Sequence, residues 1–150
     1  MSENRAEARI SLANIEHNYR LLCRKAGEKR IVMAVVKADA YGHGAVEVCR
    51  RLSDAGASHF AVACMEEAAL LRRSGIRGEL LVLGITPQEL YPAIAEYDVV
   101  QTVSSLAYAS QLADCGPVRV HIKIDTGMSR LGLYCHTLED VARTAEDVAR

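Results

Sequence analysis

The sequence has no tryptophan, one phenylalanine and three prolines. Large aromatic side chains therefore cannot organise a core, and aliphatic residues must fill it. Neither sign of charge dominates: 18 Lys and Arg against 19 Asp and Glu leave a formal net charge of −1. That balance argues against nucleic acid or an anionic membrane surface as a partner. No apolar run is long enough to span a bilayer. The start, Met1 to Ile10, is polar and charged and lacks the apolar region of a signal peptide, so a cytoplasmic location is expected. A Walker loop, a GxGxxG fingerprint and zinc-ligand spacing are also missing, so no metal site is expected. The five cysteines, Cys23, Cys49, Cys64, Cys115 and Cys135, are odd in number, scattered and without a CxxC pair. That usage suits a reducing compartment, not a disulfide framework. Cys49 and Cys64 lie in apolar segments and read as small hydrophobes.

With 50% hydrophobic and 25% charged residues over 150 positions, the composition is that of a single globular domain. Its apolar pattern alternates between two periods. Ser11 to Ala26 reads as a capped helix, with Leu12, Ile15, Tyr19 and Leu22 at helical spacing and Gly27 beyond its end. The segments Ile31–Lys37, His59–Cys64, Glu79–Leu83, Asp98–Val103 and Val118–Asp125 read as strands. Helices are expected between them over Ala45–Ala55, Glu66–Ser74, Gln88–Glu96 and from Ser104 or Ser105 to Ala113, with a last one after Thr137. Glu66-Glu67 is read as an acidic helix start that matches the helix dipole, not as an acid/base pair. This rhythm implies an α/β fold of parallel strands with right-handed crossovers. A doubly wound sheet and a barrel both fit it. The pattern breaks off at Ala149-Arg150 inside a helix with no glycine, proline or cap, so residues 1–150 are expected to be the N-terminal part of a longer protein.

Chemistry concentrates in two places. The first is the apolar run Ile31 to Val36, which leads into Lys37. A run this short and this rich in valine reads as a buried parallel strand. A lysine at its end either simply reaches solvent or, desolvated, offers a neutral amine nucleophile for a Schiff base with a carbonyl compound. Tyr41 adds a hydroxyl four residues later, and Gly42 and Gly44 permit positive φ. The whole string Ala34-Val-Val-Lys37-Ala-Asp-Ala-Tyr41-Gly-His-Gly44 closely resembles the pyridoxal-phosphate attachment segment of alanine racemases. The resemblance implies that Lys37 carries the cofactor and that the Tyr41 hydroxyl contacts its phosphate.

The second place is the end of strand five. The alternation Val118, Val120, Ile122, Ile124 puts apolar side chains on one face and Arg119, His121, Lys123 and Asp125 on the other. The polar face suits either a barrel interior or the exposed side of an edge strand. Arg130 then comes after the strand end, where a guanidinium can take a carboxylate bidentately. The segment Lys123-Ile-Asp-Thr-Gly-Met-Ser-Arg130-Leu-Gly132 resembles a second alanine racemase motif. By that resemblance Arg130 contacts the substrate carboxylate and the cofactor ring oxygen, and Lys123 is a candidate for carbamylation, its anion steadying Arg130. Ser129 stands where the family commonly has glycine. His43 reads as structural, His17, His59 and His136 as surface or packing residues, and His121 stays unassigned. Asp39 and Asp125 are expected to orient loops through backbone hydrogen bonds.

The resemblance covers nearly the whole chain and implies the first five β/α units of a (β/α)₈ TIM-type barrel. The family's C-terminal β-domain is not in this chain. The activity implied is interconversion of L-alanine and D-alanine with pyridoxal 5′-phosphate, which supplies D-alanine for cell-wall peptidoglycan. The alternatives are a serine or broad-spectrum amino-acid racemase and a non-catalytic pyridoxal-phosphate-binding barrel. The second base of the family is a tyrosine from the β-domain of a partner subunit. A homodimer is therefore implied, and residues 1–150 alone are expected to be inactive.

Overall fold

Ser11 opens the first helix, its side chain accepting the Asn14 N–H at 3.3 Å. The helix, α1 (Leu12–Ala26), ends in Arg24 and Lys25, and the Gly27 N–H closes it onto the Cys23 carbonyl. No residue of α1 is fully buried; Leu12, Ile15 and Tyr19 lean against the core from outside. The structure is a computed structural model that describes residues 7–149. Most of the Met1–Ile10 reading and the terminal Arg150 thus lie outside the described residues.

The chain then runs through β1 (Ala34–Val35), α2 (Lys37–Gly42), α3 (Ala45–Asp54), β2 (His59–Val62), α4 (Met65–Arg73) and β3 (Glu79–Val82). A 3-10 turn at Gln88–Leu90 leads into α5 (Tyr91–Glu96), followed by β4 (Val100–Val103), α6 (Leu106–Ala113) and β5 (Val120–Ile122). Two short strands, β6 (Ile124–Asp125) and β7 (Leu133–Tyr134), pair with each other before α7 (Leu138–Ala149).

The strands β1 to β5 form one parallel sheet in sequential order. Each crossover therefore steps in the same direction. Right-handed crossovers that never reverse keep their helices on one face, whereas a doubly wound sheet reverses at its switch point. The order decides for the barrel type, of which these are five β/α units. Alternation along the strands separates two apolar layers. Phe60, Val62, Leu80, Val82 and Val103 face the helices and pack with Val48, Leu52, Leu71, Ile94 and Leu112. Ala61, Leu81 and Val100 point the other way, into a smaller cluster with Met33 and Leu83. Among the described residues no helix is long and apolar enough to cross a membrane.

Two expected strands come out differently. The Ile31–Lys37 run contributes only Ala34–Val35 to the sheet, and Ile31 is 69% exposed. Among the described residues β1 pairs with β2 on one side. The fifth strand breaks at Lys123. The Lys123 N–H still donates to Val103 of β4 at 2.8 Å, while its carbonyl accepts the Leu133 N–H at 2.8 Å. Lys123 is thus the residue at which the chain leaves the main sheet for the β6–β7 pair.

Candidate active site

Because β1 to β5 are parallel, their C-terminal ends share one rim, the face on which barrel enzymes carry their chemistry. Lys37 stands on that rim, directly after β1. Val36 anchors it: this residue is 2% exposed and its N–H donates to the Ala61 carbonyl of β2 at 2.8 Å. Lys37 itself is half-buried.

The turn after Lys37 has an unusual hand. Ala38, Asp39, Ala40 and Tyr41 have φ of 50°, 53°, 53° and 56°, so α2 is wound left-handed. A left-handed conformation costs about 1–2 kcal/mol for each non-glycine residue. Gly42 and Gly44 take positive φ as expected, but the left-handed winding starts four residues earlier than glycine alone would place it. Specific bonds hold it. Within the turn, the Ala40 N–H donates to Val36 and the Gly44 N–H to Asp39. The Asp39 side chain accepts the Ala45 N–H at 2.7 Å, which ties the turn to the start of α3. The ring Nδ1 of His43 lies 2.8 Å from the Ala40 carbonyl, a local structural role as expected. From across the rim, the Glu67 carboxylate accepts the Ala38 N–H at 2.8 Å and the Ala63 N–H at 2.7 Å.

This winding brings Lys37 and Tyr41 together. The Lys37 ammonium lies 5.9 Å from the centroid of the Tyr41 ring, which is itself exposed. The pair offers an amine and a phenol side by side on an open rim.

Next along the rim is the loop after β3. Gln101 of β4 is fully buried, and its amide donates to the carbonyls of Gly84 at 2.7 Å and Thr102 at 3.0 Å. It also accepts the Thr86 hydroxyl at 2.6 Å, and the Thr86 N–H donates to the Tyr108 hydroxyl at 3.0 Å. This network pins Gly84–Thr86. Gly84 allows a close approach there, since a Cβ on it would sit 2.6 Å from the Ala63 carbonyl oxygen.

At the far edge stand Lys123, half-buried, and Arg130, exposed in the β6–β7 loop. Asp125 organises that loop as expected, its Oδ1 accepting the Gly127 and Ser129 N–H groups at 3.0 Å each. Those two donors, that of Gly127 first, hold its carboxyl down to about 2. His136, read as a surface or packing residue, does more. Its Nε2 comes within 3.3 Å of Asp125 Oδ1 without hydrogen-bond alignment, and its ring packs on Tyr134 at 4.0 Å between centroids. At the opposite end of the strands, His59 and His121 lie 3.8 and 3.9 Å from the Glu79 carboxylate, and Arg119 bridges Glu79 and Asp98.

The fold thus joins Lys37 with Tyr41, and Lys123 with the Arg130 loop, at the two edges of one rim with β2, β3 and β4 between them. Sequence reasoning missed Glu67 and Gln101. A glutamine inside the apolar run Val99 to Val103 was a usable signal, because a buried amide needs partners. Glu67 carried none, since its Ala38 partner is 29 residues away. Among the described residues no group of three or more His, Cys, Asp or Glu is arranged to hold a metal ion.

Comparisons with known proteins converge. The family model "Alanine racemase, N-terminal domain" matches residues 10–150. Alanine racemase 1 of Clostridium acetobutylicum is 44% identical over 132 residues, covering 83% of this chain and 33% of that protein. The alanine racemase of Xanthomonas axonopodis pv. citri is 46% identical over 132 residues, 85% of this chain and 35% of its own length. The crystal structure of alanine racemase from E. faecalis superposes with a TM-score of 0.82 at 33% identity, covering 93% of this chain and 39% of that one. The chain spans about a third of the length of the curated relatives it matches. A family match that runs from residue 10 to residue 150, joined to a superposition over 93% of the chain, makes this chain a member of the alanine racemase family, in its N-terminal domain.

Proposed function

We propose that this chain is the cofactor-binding part, residues 1–150, of a barrel enzyme that interconverts L-alanine and D-alanine with pyridoxal 5′-phosphate. The observation that carries the reading is Lys37 at the C-terminal end of β1, held by a left-handed turn that sets Tyr41 beside it. The donor set suits the group: a primary amine for its aldehyde and a phenolic hydroxyl for its phosphate, both open to the rim. When bound, the cofactor supplies an electron sink for the charge left at the substrate α-carbon.

The chain's own residues divide the remaining work. Lys37 would hold the cofactor through its amine, and that amine, when free, would take or return the α-proton on one face. Tyr41 fixes the phosphate. Arg130 would bind the substrate carboxylate through two parallel N–H bonds and lie toward the cofactor ring. The Lys123 amine, once deprotonated, would add carbon dioxide and release a proton, and the resulting carbamate anion would steady Arg130. Inversion needs a second base on the opposite face. A tyrosine of a partner subunit fills that role in a homodimer, so residues 1–150 alone do not racemise. The enzyme works in the cytoplasm.

The test is covalent trapping. The protein is incubated with pyridoxal phosphate, reduced with borohydride and mapped by mass spectrometry, with Lys37→Ala as control. One adduct at Lys37 that disappears in the control supports the reading. An adduct spread over surface lysines, or none, overturns it. L-to-D alanine conversion by the whole gene product then separates a racemase from a cofactor carrier.

A further inference from the structure

Glu67 is the third residue of α4, where a carboxylate ordinarily reaches back to the backbone N–H of the N-cap residue. Here the N-cap is Cys64, and Glu67 does not take its N–H. One carboxylate oxygen accepts the Ala63 N–H, one residue before the cap, at 2.7 Å. The other crosses to a different strand end and accepts the Ala38 N–H at 2.8 Å. The side chain therefore ties the segment after β1 to the segment after β2, and it grips the first at Ala38, the residue after Lys37. Ala38 is also the first left-handed residue. The other bonds that hold the turn come from within residues 36–45. Left-handed backbone in four successive non-glycine residues does not persist unless its surroundings hold it. The bonded N–H belongs to the Lys37–Ala38 peptide, so Glu67 fixes the plane of that peptide, and with it Lys37 ψ and the direction in which the turn leaves the lysine.

We propose that Glu67 is a positioning residue for Lys37: its carboxylate, shared between Ala38 and Ala63, holds the left-handed turn that aims the lysine amine at the rim. The inference rests on the reading of Lys37 as the cofactor lysine. It needs no contact between Glu67 and the cofactor.

The test compares the unsubstituted chain with Glu67→Gln, with Glu67→Gln combined with Ala38→Gly, and with Glu66→Gln as control. In Glu67→Gln one of the two terminal atoms becomes an amide nitrogen, which donates and cannot accept, so Ala38 or Ala63 loses its acceptor. Loss of one charge-assisted bond should raise the exchange rate of that amide by about tenfold to a hundredfold. The Val36 amide, bonded to Ala61 at 2.8 Å, should keep its protection. Borohydride-trapped pyridoxal phosphate at Lys37, relative to surface lysines, should form several-fold more slowly. Ala38→Gly, which removes the Cβ penalty at positive φ, should restore much of that rate, and Glu66→Gln should change nothing.

Unchanged trapping at Lys37 in Glu67→Gln would overturn the proposal. So would unchanged exchange at both Ala38 and Ala63. So would unfolding of Glu67→Gln, or a parallel rise at Val36, either of which makes Glu67 a general structural residue. Acetic anhydride serves as a second lysine probe. If the unsubstituted chain takes no cofactor at Lys37, the cofactor reading falls, while acetylation of Lys37 and amide exchange still decide the role of Glu67.

Discussion

Replacing Gln101 with leucine keeps roughly the side chain's volume but deletes all of its hydrogen bonds. Gln101 is 0% exposed and Thr86 2% exposed, so no water can stand in for the lost partners. The Gly84 and Thr102 carbonyls lose their donor, at 2.7 and 3.0 Å, and the Thr86 hydroxyl loses its 2.6 Å acceptor. Each orphaned group costs about 1–3 kcal/mol, so Gln101→Leu should destabilise the chain by about 3–9 kcal/mol. Thr86→Val orphans one group, the Gln101 carbonyl oxygen, and should cost about 1–3 kcal/mol. The double substitution removes the Thr86–Gln101 pair together and leaves only the Gly84 and Thr102 carbonyls without their donor. It spares the two groups that the single changes orphan, so it should cost less than those changes summed, by about 2–6 kcal/mol. Equilibrium urea unfolding of the four proteins measures the cycle. Additivity within about 0.5 kcal/mol would refute the reasoning, because residues that share no interaction behave that way. Retention of full stability in Gln101→Leu alone would refute it more directly.

The remaining predictions concern the core, the Arg130 loop, pH and a helix cap. Phe60 is the single phenylalanine and is fully buried in β2; Phe60→Ala should lower unfolding stability by about 3–5 kcal/mol in a urea melt. Gly132 has φ of 127°, and a Cβ there would lie 2.7 Å from the Asp125 nitrogen and 2.9 Å from the Lys123 oxygen. Gly132→Ala should open the β6–β7 pairing, seen as faster amide exchange at Leu133 and Cys135, with Phe60 unaffected. Folding lowers the Asp125 carboxyl from 3.8 to about 2. A group depressed in this way contributes stability above its unfolded value and loses it as pH falls toward its folded one. Acid titration should therefore show stability flat above about pH 5 and falling between about pH 4 and pH 2, and Asp125→Asn should flatten that slope. Ser105→Ala removes the side-chain acceptor of the Tyr108 N–H, and thermal melting should register a loss of about 1 kcal/mol.

Much of this protein was determined locally and is readable without a fold. Ser11 and Ser105 cap helices because a hydroxyl two or three residues ahead of orphan N–H groups bonds them wherever the chain goes. The alternation of strand and helix comes from the spacing of apolar residues. Asp39 and Asp125 hold their loops through bonds to residues two to six positions away. The Lys37–Tyr41 segment is legible for the same reason: its chemistry is contained in eleven successive residues.

Tertiary structure decided what depends on residues far apart. Strand order settled barrel against doubly wound sheet, since the two differ only in which side each new strand joins. The break at Lys123 arises from competition between two partners, Val103 on one side and Leu133 on the other. The left-handed turn is the clearest case. Alanine, aspartate and tyrosine do not choose positive φ by themselves, and the bond from Ala38 to Glu67 that helps to keep them there spans 29 residues. Side chains within a segment select a local conformation from the few that sterics allow, but a conformation that local sterics disfavour persists only through contacts the folded chain supplies.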